Sequence, residues 1–145
     1  MYNDSRNDII EYLYGLFHGT VTENVYAISV PTELSKSDTK DGFMVISMGG
    51  LLDESEFSRE AFGRVRCYAV AYIPLLSRGR YNKAKYKAFE DAINAVIREE
   101  IANPTSSVYS IEEDSILSYE DEEQSDADNR YFLYVKSFIV TVDGQ

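Results

Sequence analysis

The stretch NKAKYKAFEDAINAVIREEIA, residues 82–102, constrains the fold more than any other part of the chain. Ala88, Phe89, Ala92, Ile93, Val96, Ile97 and Ile101 recur at steps of three and four, the spacing of an amphipathic helix with one apolar stripe. Asn82 offers a cap at the start, and Asn103-Pro104 stops the helix. Most of the stability of such a helix comes from covering its stripe, so the chain must supply a complementary surface. FGRVRCYAVAYIP, residues 62–74, reads as that surface. Val65, Cys67, Ala69, Ala71 and Ile73 alternate with Arg64, Arg66, Tyr68, Val70 and Tyr72, the two-residue period of a strand. One face is small and apolar and lets a helix approach closely; the other is basic and aromatic.

The remaining elements follow from the same two periods. Residues 5–18 predict a helix with Ile9, Ile10, Leu13, Leu16 and Phe17 on one stripe, Asp4 or Ser5 as cap and Gly19 as stop. ENVYAISVP predicts a strand ending at Pro31, and the polar TELSKSDTKDG a turn-rich connection into a second strand, FMVISM. GGLLDESEFSREAFG is ambiguous, a loop with one helical turn. SVYSIEEDSILSYE predicts a fourth strand with a bulge near Glu112–Asp114. RYFLYVKSFIVTV is apolar on both faces and must be central or covered on both sides. The fold class is therefore α+β: a single domain, 1–145, with a mixed or antiparallel sheet of about four to five strands, two helices, and the order α-β-β-β-α-β-β.

Composition narrows the function classes. The 145 residues carry a net charge of −11, unfavourable for sequence-specific nucleic-acid binding or an anionic membrane. With no Trp but 12 Tyr and 7 Phe, core and interfaces must be built from these rings. The opening MYNDSRNDII lacks the basic-then-apolar order of a signal peptide, and no apolar run approaches a membrane span, so a soluble chain is expected.

Catalytic chemistry has few candidates. His18 is the only histidine and sits where a helix end favours positive charge. Cys67 is the only cysteine and falls on the small apolar face of its strand, as a buried thiol. MGGLL lacks the Lys-Ser/Thr of a phosphate loop. No enzyme activity, catalytic residue, metal or cofactor is expected.

Two charged segments remain. SYEDEEQSDADNRY holds Glu120, Asp121, Glu122 and Glu123 in succession, and reads as an acidic hairpin loop over 118–130. Its spacing fails the calcium-loop pattern: from Asp126 the fifth and sixth positions are Arg130 and Tyr131. Arg78, Arg80, Lys83, Lys85 and Lys87 gather a large part of the cationic charge before and within the first turns of the long helix, where the macrodipole disfavours it. Complementary basic and acidic patches suit head-to-tail packing of identical subunits into a ring. Pairing of the basic cluster with acidic residues of the same subunit is the equal alternative, and the acidic run by itself reads first as a solvated hairpin loop.

The order of elements carries a resemblance. A leading helix, VYAISVP, GFMVISM, a long strand with a Gly-Arg loop, a KAFEDAINAVIREE helix and the two strands of SILSYEDEEQSDADNRYFLYVKSFIVTV are similar to the tail-terminator, or tail-completion, proteins of long-tailed bacteriophages and prophages. The resemblance covers nearly the whole chain and rests on length, order and hydrophobic pattern. It implies a structural virion protein, assembled in the host cytoplasm. Such a subunit forms a ring, typically a hexamer, at the head-proximal end of the tail tube. The ring joins tube to head-completion proteins, and DNA passes through its lumen. On this view the interface lies in Arg78, Arg80, Lys83, Lys85 and Lys87, in Glu120, Asp121, Glu122 and Glu123, and in an exposed aromatic face with Tyr68 and Tyr72. A small acidic protein-binding or regulatory domain is the alternative.

Overall fold

The computed structural model describes residues 2–51, 63–76, 80–114, 119–124 and 130–142, with backbone alone for 2–7, 50–51, 119–124 and 130. Its elements run α1 (Tyr2–Phe17), β1 (Val25–Ala27), α2 (Lys36–Asp41), β2 (Phe43–Leu51), β3 (Gly63–Pro74), α3 (Lys83–Ala102), β4 (Tyr109–Glu113), β5 (Tyr119–Gln124) and β6 (Arg130–Val142). Helices and strands share one mixed sheet, an α+β fold. Strand order is β1-β2-β3-β6-β4, and β5 also pairs with β6. Among the strand pairings of the described residues only β1–β2 is parallel.

β3 behaves as its pattern requires: Cys67, Ala69, Ala71 and Ile73 are fully buried and Val65 nearly so, while the alternate residues are half-buried. The small face shares a core cluster with Phe89, Ile93 and Ile97 of α3 and with Ile9, Leu13 and Phe17 of α1. Each fully buried Ile or Phe contributes about 1.5–3 kcal/mol. β6 is central, as its two apolar faces demand. Tyr134, Phe138, Val140 and Val142 join the helix-side core, and Tyr131 and Leu133 join a second cluster on the opposite face with Phe43 and Val45. That second cluster is closed by Tyr26, Val30, Leu34, Val70 and Tyr72, so one end of the second face is covered by β1 and the chain that follows it.

Four expectations are corrected. The polar stretch before β2 contains a helix, α2, nucleated by a capping box: Asp38 N–H donates to Ser35 Oγ and Ser35 N–H to Asp38 Oδ2. The strand expected through Pro31 ends at Ala27, because Ile28 turns at φ 78° and Ser29 N–H closes back on Ala27 O at 2.9 Å. Asp4 and Ser5 lie inside α1, not at its cap. On α3 the buried stripe runs through Tyr86, Phe89, Ile93, Ile97 and Glu100, while Ala88 and Ile101 are exposed. The helix is rotated toward Tyr86 because that large ring packs on Phe132 and Tyr134 of β6.

The single fourth strand is two. β4 pairs with Phe138–Val142 and β5 with Arg130–Val135, both antiparallel on the same edge of β6. Among the described residues the sheet therefore has six strands over five positions, and the acidic run begins as a strand. The connection over 125–129, like most of the ambiguous segment over 49–63, lies outside the described residues; Gly49–Leu51 continue β2, whose register shifts after Met48.

Candidate interaction surface

The five expected cations go to different places. Arg78 lies outside the described residues. Arg80 closes a corner after β3, where Leu76 N–H donates to Arg80 O at 2.7 Å in an isolated antiparallel bridge. Asn82 caps α3 by accepting from Lys85 N–H at 3.2 Å. Lys83 is exposed at the first helical position. Lys85 turns into a cleft of about 200 Å³ with Val21, Thr22, Asp41, Ala88 and Phe89. Lys87 pairs with Asp91 at 3.2 Å on the same helix, a local i,i+4 pair that accounts for it within α3. Arg80 and Lys83 flank two exposed apolar side chains, Leu76 at 41% and Tyr81 at 44% exposure.

Tyr81 is braced from below: its ring meets Phe132 edge-on at 4.9 Å and Tyr86 at 5.9 Å. Phe132 in turn is the cross-strand partner of Glu122, with Asp121 opposite Leu133, Glu123 opposite Tyr131 and Glu120 opposite Tyr134. The basic corner and the acidic strand therefore adjoin at one end of the sheet. They do not lie on opposite flanks.

Tyr68 and Tyr72 are half-buried and do not form an exposed aromatic face. Tyr72 stacks on Phe43 at 4.6 Å and meets Tyr131 edge-on at 6.0 Å. Tyr68 lies over Gly49, where an added Cβ would meet its ring at 3.5 Å. Tyr72 is taken up by the second cluster, which the β3 pattern alone cannot reveal because its ring partners come from β2 and β6.

Sequence reasoning missed the ion pairs of the same face. Arg66 Nε and Nη2 donate to the two oxygens of Asp114 at 2.6 and 3.2 Å, and Arg64 reaches Glu112 at 3.1 Å. The Asp114 side chain is only 1% exposed, and its bonds push the Arg66 pKa up. The signal was present as matched spacing: two arginines and two acids, each two residues apart, fall on one face of their strands. On the other side of β6, Lys136 pairs with Glu113 at 3.1 Å.

Two further buried carboxylates hold the fold. Glu100 Oε2 accepts from Tyr12 Oη at 2.7 Å, Thr105 N–H at 3.0 Å and Thr105 Oγ1 at 2.9 Å. Asp38 accepts Tyr26 Oη at 2.7 and 2.9 Å, besides capping α2. Burial, then donation to these acids, raises the Tyr12 pKa and pushes that of Tyr26 up to about 12. His18 ends α1, stacked on Tyr14 at 4.8 Å with Nε2 3.3 Å from Glu23, and Cys67 is fully buried. Among the described residues no three His, Cys, Asp or Glu side chains gather as cation ligands, and no helix is long and apolar enough to cross a membrane.

No protein-family model matches this chain, and a search of curated proteins returns no match.

Proposed function

We propose that this chain is a non-catalytic assembly subunit of the phage tail-terminator kind, working as a ring of identical copies that ends a tail tube and meets the head-completion proteins. One observation carries the reading: the exposed apolar pair Leu76 and Tyr81, flanked by Arg80 and Lys83, beside a strand of four successive acids. An exposed aromatic next to charge of both signs has the make-up of a protein contact. Among the described residues, Cys67 lies in the core and Asp38, Glu100 and Asp114 take part in buried hydrogen bonds. Size-exclusion chromatography with light scattering, with and without a phage tail-tube protein, tests it. A discrete multi-copy ring, or capture on tube ends, supports it. A monomer that binds no tube overturns it.

The run of four acids at Glu120–Glu123 also favours a second reading, a small monomeric binding or regulatory domain whose acidic segment attracts a basic protein partner. A monomer that binds a Lys/Arg-rich peptide would support it.

A further inference from the structure

We infer that the two edges of the sheet are the two halves of one head-to-tail contact. Ile28 and the lysines of α2, on the β1 edge of one copy, dock against Val108, Asp8 and Glu11, on the β4 edge of the next. This deepens, and rests on, the reading that the chain acts by self-assembly.

Ile28 is a β-branched residue at φ 78° and is 68% exposed, so it carries backbone strain and an apolar surface in water together. Its turn is pinned: Ile28 N–H donates to Ile46 O at 2.7 Å and Ser29 N–H to Ala27 O at 2.9 Å. Asn or Gly would make the same turn with less strain and without an aliphatic side chain in water. Burial against a partner offsets both costs, which is the behaviour of an anchor residue.

Charge names the partner. Asn24 Nδ2 donates to Ser37 Oγ at 3.0 Å and Tyr26 Oη to Asp38, which fastens α2 to β1. Lys36 and Lys40 stand one turn apart on α2, exposed, and neither joins an ion pair among the described residues. The acids of α2 are engaged elsewhere, Asp38 with Tyr26 and Asp41 with Ser37 Oγ. On the β4 edge, Val108 is 43% exposed, and the Val108 and Tyr109 N–H groups both donate to Ser106 Oγ, at 3.0 and 3.1 Å. The Tyr109 ring stacks on Tyr12 of α1 at 4.9 Å. Burial, then the charges of Asp8 and Glu11, raises the Tyr109 pKa. Both acids are exposed on α1, and neither joins an ion pair among the described residues. Glu112 and Glu113 of β4, by contrast, are matched by Arg64 and Lys136.

Topology sets the symmetry. β1 and β4 stand at opposite ends of the strand order. An apolar-basic edge and an apolar-acidic edge on opposite flanks complement each other between copies, and such a heterologous contact closes into a ring when the rotation allows.

Light scattering tests it. The wild type, alone or with a phage tail-tube protein, is expected to give a discrete multi-copy mass. Ile28→Asn keeps a residue that tolerates the left-handed turn and removes the anchor; Val108→Asp adds a charge of the wrong sign for an apolar contact. Both positions are exposed, so folding is retained. Each variant alone is expected to run as one copy. Their equal mixture should run as two, because one variant keeps its β4 edge, the other its β1 edge, and a single contact forms. Lys36→Glu with Lys40→Glu should also lose the assembly, and adding Asp8→Lys with Glu11→Lys to the same chain should restore it. An assembled mass unmoved by Ile28→Asn or by Val108→Asp, a mixture that stays at one copy or exceeds two, or a charge reversal that the second reversal fails to restore overturns the edge-to-edge contact while leaving self-assembly standing. A wild type that stays at one copy, alone and with tail-tube protein, overturns both.

Discussion

Tyr12 and Glu100 stand 88 positions apart and meet at 2.7 Å, the phenol of α1 donating to a carboxylate near the end of α3. The same oxygen receives both donors of Thr105, so one buried acid joins two helices and the chain that leaves them. Tyr12→Phe removes a hydrogen bond to a charged group and is expected to cost about 2 kcal/mol in urea unfolding. Glu100→Ala should cost more, since it strands the Thr105 N–H as well.

Arg66 and Asp114 predict a contrast between two ion pairs. Removing Arg66 takes a two-pronged guanidinium away from a carboxylate whose side chain is 1% exposed, whereas Lys87 and Asp91 are both well exposed. Arg66→Met should lower the urea midpoint several-fold more than Lys87→Ala. Combining Arg66→Met with Asp114→Leu should recover much of the loss, because the buried charge itself is then removed.

Alkaline titration isolates Tyr26. Its pKa rises from the ordinary 10.0 to about 12, first through burial and then through donation to Asp38. The neutral phenol is the form the fold favours, so the contribution is complete below pH 10.0 and is lost as pH rises toward about 12. Phenolate absorbance should show a late step that Tyr26→Phe removes, along with part of the loss of stability over that window.

Gly42 and Ile28 share a positive φ and predict opposite signs. At Gly42, φ 92°, a Cβ would lie 2.8 Å from the Tyr72 carbonyl oxygen and 3.1 Å from Phe89 and Pro74. Gly42→Ala is expected to destabilise by about 3 kcal/mol in thermal or urea unfolding. Ile28, φ 78° and 68% exposed, carries left-handed strain with little packing to lose. Ile28→Gly should stabilise by about 0.5–1 kcal/mol, strain relief outweighing the added freedom of the unfolded chain.

Much of the fold was legible locally. The alternation from Val65 to Ile73 names its buried face correctly, Gly19 at φ 83° ends the first helix where its position suggests, and the two-sided apolarity of 130–142 marks the central strand. The α2 capping box was written as Ser35-x-x-Asp38 but hidden in a polar stretch without apolar period. The candidate surface was legible as charge and illegible as geometry. Nothing in KAKYK distinguishes Lys87, matched to Asp91 four residues on, from Lys85, turned into a cleft with Asp41.

Periodic burial is a local property, and it is what the sequence alone determined: α+β class, the small-residue face of β3, the helix that must cover it, and the central place of β6. Pairing is not local. The run YEDEEQ has poor strand propensity and becomes β5 only because β6 offers it an edge, six residues of register from Arg130 to Val135. That same register sets Glu122 opposite Phe132, and Phe132 lies under Tyr81, so the tertiary structure alone brought the basic and acidic segments to one end of the sheet.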